Sequence, residues 1–194
     1  MDKNLYIVAG CNGAGKTTAS FSILPEILDC REFANADEIA VGLSPFQSDK
    51  AAVEAGRIML GRIRHLLNEN ISFAFETTLA SKTYRNTVLR SQEAGYNVTL
   101  LFFWLQTVDL AIKRVEKRVL EGGHDIDPMI IERRYINGIR NLFEIYIPIV
   151  DEVLIFDNSE GKHELIAKKM NHSDISILNS NKFNLLKQQY DHQR

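Results

Sequence analysis

The segment from Leu5 to Thr18 constrains the fold more than any other part of this chain. Five apolar residues, LYIVA, lead directly into GCNGAGKT at 10–17, which matches G-x-x-x-x-G-K-[ST] at every fixed position. A chance match in an ordinary glycine-rich turn has odds on the order of one per cent in a chain of this length. Because a helix-compatible segment follows, the pattern predicts a buried strand, a phosphate-binding loop and a helix in succession.

The residue types in this loop suit the binding of a polyphosphate. Glycine permits the backbone angles that turn main-chain N–H groups towards an anion, and the next helix adds unpaired N–H groups of its own. We expect Lys16 to reach the β- and γ-phosphates and the Thr17 hydroxyl to ligate Mg²⁺. The predicted cofactors are therefore ATP and Mg²⁺, bound by Gly10, Asn12, Gly13, Ala14, Gly15, Lys16, Thr17 and Thr18.

Strand-like apolar segments alternate with helical patterns along the rest of the chain. The predicted strands are residues 5–9, 32–36, 71–75, 97–105 and 153–156. This alternation predicts an α/β fold in which helices cover both faces of a central parallel sheet of about five strands. We expect one domain over residues 1–194, with a helix at 161–171 and a polar tail from about 172–194 that is docked or partly disordered.

Composition excludes several functional classes. With 194 residues, a net charge of −2 and a pI near 6.2, the chain lacks a basic footprint, so nucleic acid is a disfavoured partner. Its two cysteines, Cys11 and Cys30, argue against a disulfide framework and fit a reducing compartment. Neither a signal-peptide pattern nor an apolar run of about 18 residues is found. We expect a cytoplasmic protein with no membrane partner.

Two acidic residues follow predicted strands at the edge where the phosphate loop begins. Ligands of parallel sheets bind outside the carboxyl ends of the strands, so we expect Asp37, Glu76 and the loop to converge. Asp37 would accept a proton from a substrate hydroxyl, or it would only cap a helix. Glu76 would bind substrate, or it would only make a structural hydrogen bond.

Arginines between residues 107 and 134 are candidates for closing over a γ-phosphate. The planar guanidinium matches phosphate oxygens, and its charge does not titrate away. The candidates are Arg114, Arg118, Arg133 and Arg134. For the first two, the alternative is a solvated helix face or ion pairs with neighbouring glutamates. His124, beside two glycines, is interpreted as a loop residue rather than a metal ligand.

Five segments together resemble the zeta-toxin-like kinases, in particular their short stand-alone members. They are GCNGAGKTT at 10–18, NADEI at 35–39, SFAFETTL at 72–79, RVEKRVLEGGH at 114–124 and IERRY at 131–135. The resemblance covers about residues 4–158. It implies a P-loop kinase-like three-layer sandwich with a helical lid at about 107–140. It also implies transfer of the ATP γ-phosphate to the 3′-hydroxyl of UDP-N-acetylglucosamine.

The same resemblance implies roles for individual residues. A lysine and an aspartate would serve phosphate binding and catalysis, lid arginines would stabilise the transferring phosphate, and the segment after the third strand would hold the sugar nucleotide. The predicted catalytic residues are Lys16, Asp37, Arg118 and Arg134, and the predicted substrate-binding residues are Glu76 and Thr77.

The expected partner is a small-molecule acceptor, with a UDP-sugar as the candidate. Zeta toxins carry a segment before the phosphate loop and a longer C-terminal region, whereas this chain opens almost directly on its first strand, so we treat an antitoxin partner as doubtful. Two other functions stay open. They are a nucleic-acid or other metabolite kinase, and a nucleotide-dependent regulatory or binding module with little turnover.

Overall fold

The computed structural model describes residues 3–123, 125–171 and 173–192. Its strands are β1 (Lys3–Ala9), β2 (Phe33–Ala34), β3 (Phe73–Thr77), β4 (Tyr96–Trp104), β5 (Glu152–Asp157), β6 (Glu164–Lys169) and β7 (Ser176–Ile177). Its helices are α1 (Lys16–Glu26), α2 (Ala36–Leu43), α3 (Ser48–Asn68), α4 (Arg85–Glu93), α5 (Val108–Leu120), α6 (Pro128–Asn141), α7 (Ile147–Ile149) and α8 (Ser180–Asp191). A π-helical segment, Leu142–Tyr146, joins α6 to α7.

The strands form a single mixed sheet in the order β2-β3-β1-β4-β5-β6-β7. Strands β1 to β5 pair in parallel, whereas β6 and β7 add to the β5 edge in antiparallel orientation. The predicted α/β fold is therefore confirmed, and its five parallel strands are present. The described sheet has seven strands rather than about five because two short antiparallel strands extend one edge.

Burial along the central strands indicates that both faces of the sheet are covered. Residues Leu5–Ala9 of β1 are buried without a break, and so are Val98–Trp104 of β4. Successive residues of a strand point to opposite faces, so a continuous buried run requires packing on each side. This pattern places β1, and the loop that follows it, in the centre of the core.

The predicted helix at residues 161–171 is wrong, because β6 occupies Glu164–Lys169. This strand pairs antiparallel with β5 and buries Ile166 and Ala167. Leucine, alanine and lysine favour a helix when the segment is considered alone. The unpaired backbone along β5 offers hydrogen bonds and a packing surface, and this tertiary context outweighs the local preference.

The chain after residue 172 contains β7 and α8, and α8 is docked on the domain. Tyr135 Oη donates to Gln189 Oε1 at 2.9 Å, and Lys182 Nζ lies 2.7 Å from Asp157 Oδ2. The buried residues of α8 are Phe183 and Leu186. Of the two alternatives expected for the tail, docking therefore holds for this helix.

The described residues contain neither a membrane-spanning helix nor a metal-binding cluster. Among their helices, none combines the length and the hydropathy that a membrane crossing requires. The same residues contain no group of three or more His, Cys, Asp or Glu side chains that could hold a metal ion. His124, interpreted above as a loop residue, lies outside them.

Docking of α8 predicts different costs for two adjacent leucines. Leu186 is fully buried, whereas Leu185 is 38% exposed. Leu186→Ala should lower the free energy of unfolding by about 2–5 kcal/mol, because it leaves a cavity in the core. Leu185→Ala is the matched control and should cost clearly less. Urea denaturation measures both, and equal small losses would mean that α8 does not belong to the cooperative core.

Candidate active site

The phosphate loop joins β1 to α1 with a backbone that only glycine tolerates at its start. Gly10 has φ +144°, and a Cβ added there would lie 2.2 Å from the carbonyl oxygen of Phe103. Gly15 is the N-cap of α1 and supplies no side-chain acceptor to the first N–H groups of the helix. Those N–H groups and the positive end of the helix dipole therefore favour an anion at the loop.

The Lys16 ammonium lies inside this loop and is paired with an acidic side chain. Its Nζ donates to the carbonyl oxygen of Cys11 at 2.9 Å and lies 3.5 Å from Glu76 Oε1. Burial raises the pKa of the Cys11 thiol to about 11, so this side chain stays neutral beside the lysine. The arrangement gives the loop one buried cation, and that cation is held at the place where an anion would bind.

Glu76 ends β3 and connects three segments of the site. Its Oε2 accepts hydrogen bonds from Thr17 Oγ1 at 2.8 Å and from Asn35 Nδ2 at 3.1 Å. In the parallel register Glu76 lies beside Val8, two residues before the loop begins. Sequence reasoning left two roles open for Glu76, substrate binding or a structural hydrogen bond, and it did not predict Thr17 and Asn35 as the bonding partners. The strand position was the available signal, since it predicts that Glu76 and the loop lie at one edge.

Asp37 lies in the first turn of α2 and is not its N-cap. The cap is Asn35, whose Oδ1 accepts the backbone N–H of Asp37 at 2.9 Å. The Asp37 carboxyl group is left exposed and lines a cavity. The interpretation of Asp37 as only a helix cap is therefore wrong, and Asn35 is a residue of the site that sequence reasoning overlooked.

A cavity of about 220 Å³ opens in front of these groups. It brings together side chains from the phosphate loop, from the N-cap and first turn of α2, from β3 and the segment after it, and from α6. Its polar lining includes Lys16, Asn35, Asp37, Glu76, Thr77 and Arg134. The Thr77 hydroxyl also accepts the backbone N–H of Leu79 at 3.0 Å, which holds the turn after β3. Five of the six residues predicted to be catalytic or substrate-binding therefore line one cavity, and Arg118 does not.

Arg134 reaches the phosphate loop from α6. Its Nη1 donates to Asn12 Oδ1 at 3.1 Å, and its side chain lines the cavity. Burial lowers the pKa of Arg134, and the negative charge of Asp37 acts in the opposite direction. The guanidinium and the Asp37 carboxylate therefore belong to residues that line the same cavity.

The other three candidate arginines have different surroundings. Arg114 donates to the carbonyl oxygens of Gly13, Asn158 and Ser159, so it braces the back of the phosphate loop. Arg118 is exposed near the end of α5, with its side chain against Gly123, and Arg133 is exposed on α6. Among the described residues that line the cavity, Arg134 is the only arginine. The assignment of Arg118 stays a prediction.

The remaining loop residues are divided between the core and the surface. Asn12 and Ala14 are buried, Gly13 and Thr17 are partly buried, and Thr18 is exposed on α1. Asn158, after β5, donates through Nδ2 to the carbonyl oxygen of Ala14 at 2.7 Å. Sequence reasoning missed Asn158, because nothing in its local pattern links it to a loop that lies far away in the chain.

Comparison with known proteins supplies a family. The model of the family described as zeta toxin matches residues 1–171. This chain belongs to the zeta toxin family. A Haemophilus influenzae protein described as uncharacterized is 28% identical over 138 residues, which cover 70% of this chain and 94% of that protein.

Solved structures similar to this zeta toxin family member show its fold. A complex of AvrRxo1-ORF1 and -ORF2 with ATP has a TM-score of 0.74 at 15% identity, over 95% of this chain and 63% of that one. The PezAT toxin–antitoxin system of Streptococcus pneumoniae has a TM-score of 0.63 at 14% identity, over 99% of this chain and 87% of that one. A putative kinase from Chloroflexus aurantiacus has a TM-score of 0.59 at 14% identity, over 98% of this chain and 95% of that one. The chain thus has the P-loop kinase fold and spans less than two thirds of the AvrRxo1 chain.

Proposed function

We propose that this zeta toxin family member transfers the γ-phosphate of ATP to a hydroxyl group of a small molecule. The observation that carries the proposal is the single cavity shared by Lys16, Asp37 and Arg134 in front of the phosphate loop. Phosphoryl transfer needs a phosphate cradle, a proton acceptor and positive charge around the transferring group. Asp37 offers the proton acceptor, Arg134 offers the positive charge, and Lys16 forms part of the phosphate cradle.

Each step of the transfer has a group to serve it. Lys16 and the loop N–H groups would bind the β- and γ-phosphates, and Arg134 would face the transferring group. The hydroxyl oxygen of the acceptor molecule would form the new bond to the γ-phosphorus. Asp37 would take up the proton that this hydroxyl loses. The bond from the γ-phosphorus to the bridging oxygen breaks, and ADP leaves with the electron pair.

Two oxygen donors at the loop fit a magnesium ion. The Thr17 hydroxyl and the Glu76 carboxylate are 2.8 Å apart, and oxygen ligands of this kind are those that Mg²⁺ prefers. When bound, the ion neutralises charge on the phosphate oxygens. Thr17 would ligate it, and Glu76 would act beside Thr17, directly or through a bound water. The AvrRxo1 complex solved with ATP supports the choice of nucleotide.

The acceptor is proposed to be small and rich in polar groups. A cavity of about 220 Å³ is smaller than the roughly 300–1,000 Å³ of most ligand pockets, and the hydroxyl-bearing residues Thr77, Thr78 and Ser81 line it. UDP-N-acetylglucosamine is the candidate taken from the family resemblance, with the sugar next to Asp37. A nucleic-acid acceptor is the alternative, and the near-neutral composition of the chain disfavours it.

An antitoxin partner, which the sequence analysis treated as doubtful, is now proposed. Two similar structures are toxin–antitoxin or two-protein complexes, which speaks against the doubt raised by the sequence. The cytoplasm is likewise proposed as the place of action, from the cysteine content alone.

Transfer itself can be tested with purified protein and ATP labelled at the γ-phosphate. The acceptors are UDP-N-acetylglucosamine, a metabolite pool and a 5′-hydroxyl oligonucleotide, and Lys16→Ala is the inactive control. Transfer to a small molecule supports the proposal. Intact ATP binding with no transfer to any acceptor would favour a regulatory module, and labelling of the oligonucleotide alone would favour a nucleic-acid kinase.

The role of Asp37 predicts a selective loss of turnover. Asp37→Ala should reduce the transfer rate more than about a hundredfold, the scale of a positioned general base, and leave ATP affinity nearly unchanged. The control is Glu38→Ala, which removes the neighbouring exposed carboxylate of α2 and should have little effect. A loss of tenfold or less for Asp37→Ala would contradict the role of general base.

Arg134 and Arg133 provide a second matched pair. Arg134 faces the cavity and its neighbour is exposed, so only Arg134→Ala should lower kcat, by about a hundredfold or more. Steady-state kinetics with saturating ATP measure both variants. Equal effects would mean that the pair acts only through general surface charge.

The position of Glu76 predicts a change in the magnesium requirement. Glu76→Gln keeps the shape of the side chain but removes its charge beside Thr17, so the Mg²⁺ concentration for half-maximal activity should rise about tenfold or more. Glu69→Gln, which alters an exposed residue at the end of α3, is the control. A raised KM for the acceptor with an unchanged magnesium requirement would instead assign Glu76 to substrate binding alone.

A further inference from the structure

A second cavity, of about 420 Å³, lies between α3 and α4, away from the phosphate loop. One wall is formed by Leu60, Ile63, Arg64, Leu67 and Asn68 of α3. The other wall is formed by Thr83, Asn86, Thr87, Arg90 and Ala94, in and next to α4. We call this cavity the α3–α4 groove.

The spacing of the lining residues makes the groove elongated. On each wall the residues recur at intervals of three and four, so each helix presents one continuous face. From residue 60 to residue 68 such a face extends about 12 Å along the helix axis. A site of this shape fits a length of peptide better than a compact metabolite.

The charge of the groove has one sign. Arg64 and Arg90 line opposite walls, and no acidic residue is among the described residues that line it. Within the part of the chain that the structure describes, neither guanidinium makes an ion pair or a side-chain hydrogen bond with another residue. Each therefore has donors to offer to an outside carboxylate, and the amides and hydroxyls of the walls add further donors.

The α3 wall of the groove also carries apolar side chains. Leu60 and Leu67 are partly buried, and Ile63 between them is 1% exposed. A free inorganic anion would gain nothing from this surface, whereas a peptide with apolar side chains on one face would cover it. Arginines on both walls, together with the apolar side chains of the α3 wall, thus match an amphipathic segment with acidic flanks.

We propose that the α3–α4 groove binds an acidic, amphipathic segment of a partner protein. Apolar side chains of the segment at helical spacing would pack on Leu60 and Leu67. Its carboxylates would pair with Arg64 and Arg90. The proposal does not depend on the phosphotransferase activity, because no residue of the candidate active site lines the groove.

The test is a selection of peptides against the full chain. A phage-displayed library of random 16-residue peptides is selected on the intact protein and counter-selected on the double variant Arg64→Gln, Arg90→Gln. We expect the recovered peptides to be acidic, with apolar residues recurring at intervals of three and four. Fluorescence polarisation of one labelled peptide should then show binding at least about tenfold weaker to the double variant and weaker at high salt.

A second double variant controls for net charge. Lys113→Gln, Lys187→Gln removes the same charge from exposed positions on α5 and α8, outside the groove, and should leave peptide affinity unchanged. Thermal unfolding of both double variants verifies that they fold. Equal weakening by the two double variants would reduce the effect to general electrostatics and overturn the proposal.

Two other outcomes would also overturn it. Recovery of no peptide, or of peptides with no acidic excess, would mean that the groove does not recognise this chemistry. Self-association of the wild-type chain in light scattering, lost only in Arg64→Gln, Arg90→Gln, would identify a second copy as the occupant.

Discussion

The position of the Glu76 carboxylate is the constraint on which the candidate site depends. One of its oxygens accepts from Thr17 and Asn35, and the other pairs with Lys16, so it joins β3 to the phosphate loop and to the cap of α2. The Lys16 and Glu76 side chains are only 7% and 8% exposed, and either charge would be costly to bury alone. A phosphate that enters the loop therefore has to offer Lys16 a partner at least as good as the one already there.

The opposite side of the loop is held by bonds that reach to the C-terminal helix. Arg114 fixes the carbonyl oxygens of Gly13 and Asn158, and Asn158 follows directly after Asp157 at the end of β5. Burial alone would raise the pKa of Asp157, but hydrogen bonds from Lys182 of α8 and from neighbouring polar groups lower it. The charged carboxylate thus links α8 to the end of β5, and Asn158, the next residue, bonds to the phosphate loop at Ala14. A segment far away in the chain helps to set the geometry of the nucleotide site.

The parallel part of the fold could be predicted because central strands have a clear sequence pattern. Continuous apolar runs at β1, β3 and β4 follow from burial on both faces, and glycine or acidic residues mark their ends. The added edge was not predictable in the same way. Half of β6 is exposed or partly exposed, its residues also suit a helix, and its identity as a strand depends on the free edge of β5. The local sequence pattern of residues 164–169 contains no information about the free edge of β5.

The sequence predicted which residues of the site lie close together. It did not predict which of their atoms form hydrogen bonds. Asp37, Glu76 and the loop converge because parallel strands end at one edge of the sheet. The partner of Glu76, however, depends on the register of β3, since a shift of one residue would turn its side chain to the other face. The buried rings of Phe73 and Phe75 pack against Tyr96 and Tyr84 on the face opposite to Glu76, and these contacts oppose such a shift. The hydrophobic core of β3 thereby decides that the carboxylate meets Lys16, and that is tertiary information.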